Sequence, residues 1–524
     1  MLDTLGKAVS KLRSQLGESL ATVQKLDVPL EQATTSSLEA LKAYSLGSKA
    51  YEEQGTSPSL PYYQRAIELD PAFAMGYEST GNVYSAMSEI GRASDYYTQA
   101  FQLREHASER EKLVILATYY QIVTGELEKA AQTFQEWVAS YPRSAGPHIG
   151  LGNVYTEQGQ WEKAVEEYRE SLRLVPDGAL SRQNLANSLI ALERFDEARQ
   201  TIQEAKARKQ DSLEIHSDLY ALAFLQADSA GMAEQQQWFA DKPEENYGLS
   251  LASDTEAYAG HLGKAREVTK RSVDSAIHAD SRENGAIWLE NAALREAAFG
   301  NPRDARQTAA DGLKLVATSP GAAAEAALAY AMVNDAARAE SLAQGLNKLH
   351  PVDTEVQSLW LPAIRAQLAL NRKDPALALT ALQAAWPIEL GNILSVANLS
   401  CLYPTYIRGE AYLAARQGTK AAAEFQKILD HSGIVWSCWT GALAHLGVAR
   451  ANALQARGGT GVSPVQAEQS SAATSAGEPI SPAARDAARV RALAAYKDFL
   501  TLWKDADPDI PVYKQAKAEY AKLQ

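Results

Sequence analysis

Residues 145 to 178 constrain the fold more than any other stretch of the chain. Two helical patterns stand on either side of a Gly159-Gln160 turn; the first carries Leu151, Gly152 and Tyr155, the second Ala164, Tyr168 and Ser171, and Pro176 ends it. Small side chains at Gly152, Ala164 and Ser171 let the two backbones approach closely, while Leu151, Tyr155, Tyr168 and Leu172 fill the space between them at i, i+3, i+4 spacing. One such hairpin cannot bury its apolar face, so neighbours of the same design must supply the rest of the core. Residues 179 to 212 place Leu185, Ala186, Leu189, Ala198, Ile202 and Ala205 in the same register, and residues 74 to 107 place Gly81, Tyr84, Ala93, Tyr97 and Ala100 there.

A unit of about 34 residues with Leu-Gly-x-x-Tyr in its first helix, Ala and an aromatic in its second and Pro at its end resembles the tetratricopeptide repeat. The expected fold is all-α, a right-handed α-solenoid of stacked antiparallel helix pairs. Residues 1–39 read as an amphipathic helix (4–25) and a connector, with Ser36 and Glu39 as a capping box for the next helix. Well-formed repeats follow over 40–212, degenerate ones over 213–392 and further repeat-like pairs over 393–457. The unit at 111–144 slips by a residue in its first helix, where Tyr119 and Tyr120 sit. Second-helix alanines at 265, 305, 339, 378 and 421 carry the period onward at spacings of 40, 34, 39 and 43, so longer connections intervene, 387–404 among them. Residues 458–482, rich in Gly, Ser, Ala and Pro, read as a disordered insertion, and 483–524 as the last repeat helix and a helix capping the open end.

Lys+Arg 51 against Asp+Glu 64 gives a formal charge of −13, a field that repels phosphate backbones and anionic lipid. Neither nucleic acid nor a membrane is an expected partner. No run of about 18 predominantly apolar, uncharged residues offers a membrane span, and the first residues lack the apolar core of a secretory signal. Cys401 and Cys438 flank one hairpin, so they could approach, and make no metal motif; they are expected as small buried side chains in a reducing, cytoplasmic setting.

No phosphate loop, dinucleotide fingerprint, zinc-protease helix or nucleophile elbow occurs in the sequence. Gly260-His261-Leu262-Gly263-Lys264 comes nearest to a phosphate loop but is too short and follows a helix. The eight histidines are scattered, with no pair at i, i+3 or i, i+4. No catalytic, cofactor-binding or metal-binding residue is therefore expected, and no enzyme. Trp436 and Trp439, beside Cys438, are expected to pack, with the lining of a pocket as the alternative.

In the family resembled, the first helix of each repeat lines a concave groove, and an Asn at its ninth position can hold an extended peptide. Asn82, Asn153 and Asn187 occupy that position here, with Glu78, Glu157 and Gln183 at neighbouring inner positions. The lysines of the family's carboxylate clamp are missing, so a neutral or basic segment would suit Glu78 and Glu157. With PLEQATTSSLEALKAYSLG ahead of the repeats and LWKDADPDIPVYKQAKAEYAKL after them, the whole chain also resembles the C-terminal tetratricopeptide array of bacterial serine/threonine protein kinases, without the catalytic residues of a kinase. The expected function is a non-catalytic scaffold that docks a protein or peptide, mainly over 74–212. The alternative is the regulatory or sensor region of such a kinase system, with the kinase domain upstream or in trans, acting by ligand binding or self-association.

Overall fold

The computed structural model describes Lys11 and residues 35–394, 400–457 and 481–524. The expected helix over 4–25 lies, but for Lys11, outside these residues, and so does the insertion before Ser481. Every element among the described residues is helical. Pairs α1 (Leu38–Gln54) with α2 (Thr56–Leu69), α3 (Ala74–Ala86) with α4 (Ile90–Leu103), α5 (Glu109–Thr118) with α6 (Leu127–Ser140) and α7 (Ala145–Glu157) with α8 (Trp161–Leu174) come first. Next stand α9 (Ala179–Ala191) with α10 (Phe195–Ala207), α11 (Leu213–Leu225) with α12 (Ser229–Phe239), α13 (Glu245–Tyr258) with α14 (Leu262–His278) and α15 (Arg282–Phe299) with α16 (Pro302–Leu315). The last four are α17 (Pro320–Met332) with α18 (Ala336–Leu349), α19 (Leu361–Asn371) with α20 (Pro375–Ala381), α21 (Tyr403–Ala414) with α22 (Gly418–Leu429) and, after the short α23 (Ser432–Val435), α24 (Trp439–Ala456) with α25 (Pro482–Leu502). Helix α26 (Pro511–Ala521) closes the chain.

One packing rule builds the good repeats. A Cβ added at Gly81 would lie 2.6 Å from the Tyr97 ring, at Gly152 2.5 Å from Tyr168, and at Gly409 2.7 Å from Phe425. In each case an aromatic of the second helix sits on bare backbone of the first, sixteen positions earlier. Where the later residue shrinks to Ile202, the earlier one grows to Ala186, and both are buried. The volume of the layer is thus held nearly constant, as close-packed interiors require.

Two local departures have clear causes. The one-residue slip at Tyr119 and Tyr120 is absorbed by a π-helical turn, Tyr119–Val123, that continues α5, the usual way to fit one extra residue into a helix. The cap of α1 is Ser37, whose hydroxyl accepts from the Ala40 amide; the expected box from Ser36 and Glu39 is displaced by one position. A full capping box stands instead at Ser108 and Glu111.

The chain divides into two compact units, one comprising Met1–Tyr155 and Glu166–Gly178, the other Thr156–Val165 and Ala179–Gln524. Within the second, the C-terminal segments return across the turns that follow the first helices of earlier pairs. The Trp161 indole donates to the Leu390 carbonyl at 2.8 Å, and the Asn392 amide to the Thr156 carbonyl at 2.9 Å. Ser432 donates to Glu193 at 2.7 Å, and a Cβ on Gly433 would stand 2.0 Å from the Ile190 carbonyl oxygen. The Trp503 indole donates to the Tyr258 carbonyl at 2.9 Å, while the Gly263 amide at the start of α14 donates to the Asp507 carboxylate at 2.7 Å. The loop rejected above as a phosphate site therefore already holds an anion, supplied by the chain itself. Pro511, which opens helix α26, lies against Gly300, 2.9 Å from where a Cβ would be.

The cysteines require a correction. Cys401 and Cys438 are joined in a disulfide, with Cα atoms 5.7 Å apart and both side chains buried. Nothing in their spacing demands this; the return of the chain brings the residue before Leu402 beside the N-cap of α24. The bond removes the ground on which a reducing compartment was expected. Trp436 and Trp439 are buried as packing residues, the Trp436 indole donating to the Gly433 carbonyl at 2.8 Å. No helix of the described residues is long and apolar enough to cross a membrane.

Candidate functional site

The inner positions singled out by sequence are placed in two settings. In the first unit, Asn82 is exposed on α3, its amide donates to Glu78 one turn back at 2.8 Å, and its carbonyl accepts the Tyr97 hydroxyl at 2.8 Å. Tyr168 donates in the same way to Asn153 at 2.7 Å. The ninth-position Asn thus accepts from the aromatic that packs on the preceding glycine, which fixes its orientation. Glu78 is buried, and burial pushes its carboxyl up to about 7, against the pull of hydrogen bonds from Asn82 and Ser79. Helix α3 therefore carries an exposed amide above a buried carboxyl whose charged form burial disfavours.

In the second unit the aromatic partner is missing, because Ile202 replaces it, and Asn187 turns to the next pair. Its amide donates to Asp218 at 3.1 Å, and Gln183 reaches Ser212 and, at 3.3 Å, Glu214. Glu157 is buried, and its carbonyl abuts Gly391. Burial lifts Asp218 to about 8, with the Asn187 hydrogen bond opposing. With the folded value above the unfolded one, its contribution to stability is full below about pH 4 and is lost as pH rises through 8. Asp218→Asn keeps an acceptor for Asn187 and is expected to add about 2 kcal/mol or more at pH 9 and nothing at pH 4. Thermal unfolding at both pH values checks this, and an equal gain at each would refute it.

Sequence reasoning missed a buried polar cluster in the degenerate pairs. Ser253 of α13 and Thr269 of α14 stand at the spacing that elsewhere joins glycine and aromatic, with hydroxyls 2.7 Å apart. Arg295 of α15 occupies the vacated volume, donating to Ser253 at 3.1 Å, Thr269 at 2.9 Å and Asp254 at 2.9 Å. Burial lifts Asp254 to about 6 although Arg295 pulls it down. Further in, Glu325 of α17 is fully buried with neither carboxylate oxygen hydrogen-bonded, and burial, then the field of Asp254, hold its carboxyl well above the usual range. The signal was the pair of hydroxyls at two aligned packing positions. The cluster contains no nucleophile with an adjacent base, and among the described residues no group of three His, Cys, Asp or Glu is disposed to hold a metal. A separate open cleft of about 550 Å³, lined by Lys242, Arg271 and His278 with Asp241, Glu245 and Asp274, carries both signs of charge.

Comparison with known proteins agrees with this geometry. The family model described as tetratricopeptide repeat matches residues 155–222. The human mitochondrial import receptor subunit TOM70 is 25% identical over 170 residues, 31% of this chain and 28% of that protein. Anaphase-promoting complex subunit 3 of Schizosaccharomyces pombe is 26% identical over 160 residues, 30% of this chain and 24% of its own. Stress-induced-phosphoprotein 1 of Caenorhabditis elegans is 24% identical over 189 residues, 30% of this chain and 59% of its own. The chain thus spans well under two thirds of each of these relatives. Among solved structures, PilW, described as a widely conserved type IV pilus biogenesis factor, is 15% identical with a TM-score of 0.28, covering 40% of this chain and 97% of its own. Residues 155–222 thus match the tetratricopeptide repeat, and the helix pairs on either side of them continue the same all-α architecture.

Proposed function

We propose that the chain is a non-catalytic adaptor whose first unit receives a neutral or basic protein segment on the inner face of α3, at Asn82 and Glu78, with Asn153 of α7, held by Tyr168 as Asn82 is by Tyr97, as a further contact. The observation that carries this reading is the exposed Asn82 amide, held between Glu78 and Tyr97 in a fixed orientation. A planar amide so fixed loses little freedom on pairing with an extended backbone, and the neighbouring carboxyl suits Lys or Arg. The names of the relatives, an import receptor and a subunit of a large complex, fit a chain that works through protein contacts.

The test is affinity purification from the source cells with the whole chain as bait, beside Asn82→Ala and Glu78→Gln variants of unchanged helicity. Recovery of the wild-type partner is expected to fall at least about tenfold in each variant, the loss of one or two hydrogen bonds. Equal recovery from all three baits rejects the site. Serine/threonine kinase activity in the eluate would link the adaptor to the signalling system that the whole-chain resemblance implies.

A further inference from the structure

The disulfide and the return pass of the second unit belong to one device. Residues 390–392 dock on the turn at 156–161, and Ser432 and Gly433 dock on 190–193. Cys401 and Cys438 follow these two docking segments in the chain, so their bond ties the segments to each other. The anchoring chemistry is otherwise modest: two hydrogen bonds to main-chain carbonyls, one from Ser432 to the Glu193 carboxylate, two glycines in backbone contact, and Glu389 held by Arg408 at 2.8 and 2.9 Å. Each docking point alone is short, a turn at 390–392 and the single-turn helix α23, the kind of structure that opens first in a native protein. Joining them makes opening of one require movement of both.

We propose that the Cys401–Cys438 disulfide is the clasp of the return pass, and that the second unit closes fully only where the chain matures under oxidising conditions. Buried disulfides persist in such compartments and are rare where thiols are kept reduced. Opening the clasp with a dithiol breaks the S–S bond, leaves a thiol on each cysteine, and closes the reductant into its own disulfide; two electrons and two protons pass to the protein.

Hydrogen exchange of the whole chain tests the clasp, comparing the oxidised protein with the same protein refolded in dithiothreitol and with a Cys401→Ser/Cys438→Ser variant. Exchange over 386–394 and 432–441 is expected to rise at least about a hundredfold in both reduced forms, as fits loss of a cross-link over 37 positions, while pairs α15 to α18 keep their protection. Unchanged protection at the two docking segments overturns the proposal, and so does a loss spread evenly over all pairs of the unit. Thiol trapping with a maleimide polymer in acid-quenched source cells tests the setting: no label before reduction and two labels after it are expected, and two labels before reduction overturn it.

Discussion

Gly391→Ala is expected to destabilise the second unit by about 3 kcal/mol or more, at the upper end of overpacking costs. An added Cβ would stand 2.0 Å from the Glu157 carbonyl oxygen and 3.0 Å from that of Ile388. Backbone cannot rotate aside as a side chain can, so the docking segment must lift and take with it the hydrogen bonds at Thr156 and Trp161. Denaturant unfolding of the whole chain, followed by tryptophan fluorescence, reads the loss. Gly146→Ala, where the nearest atom would be 3.4 Å away on the Trp137 ring, serves as control and is expected to cost under about 1 kcal/mol. Equal effects at the two glycines would show that the return pass contributes nothing to stability.

Glu325→Met is expected to act in the opposite direction. Glu325 has no hydrogen-bond partner at either oxygen, sits in the field of Asp254, and itself raises the carboxyl of Glu290. Its folded pKa lies above the unfolded one, so its contribution is most favourable in acid and is lost as pH rises above the usual carboxylate range. An apolar side chain of similar volume removes that dependence and is expected to gain about 2 kcal/mol at pH 8, and much less at pH 4. A melting curve at each pH decides the matter. Destabilisation at pH 8 would mean that the carboxylate has a compensating partner and that the buried cluster is a satisfied network.

The helix pairs could be read from the sequence because the rule that builds them is local. Gly152 and Tyr168, or Gly81 and Tyr97, lie in one hairpin at a fixed spacing, and the periodic pattern around them leaves little choice. The ninth-position asparagines could be named but not interpreted, since their role turns on whether the aligned aromatic is present, as at Tyr97, or absent, as at Ile202. The Arg295 cluster stayed hidden because Ser253 and Thr269 look like ordinary polar substitutions until Arg295, from another pair, joins them. The return pass left still less trace. It is made by main-chain carbonyls at helix ends and by glycines at 391 and 433, which carry no periodicity, and the disulfide follows from it.

Linear repeat arrays fold through neighbours alone, each pair adding its share as it forms. The second unit departs from that regime. The bond from Trp161 to Leu390 spans 229 positions and that from Trp503 to Tyr258 spans 245. Such distant pairings must overcome a large closure entropy before they return any stabilisation, which slows folding and couples the pairs into one cooperative transition. During synthesis the turns at 156–161, 190–193 and 258–263 leave the ribosome long before the residues that cover them. Until then the nascent chain behaves as an open array, its helix ends uncovered, and a truncation before residue 390 would stay in that state.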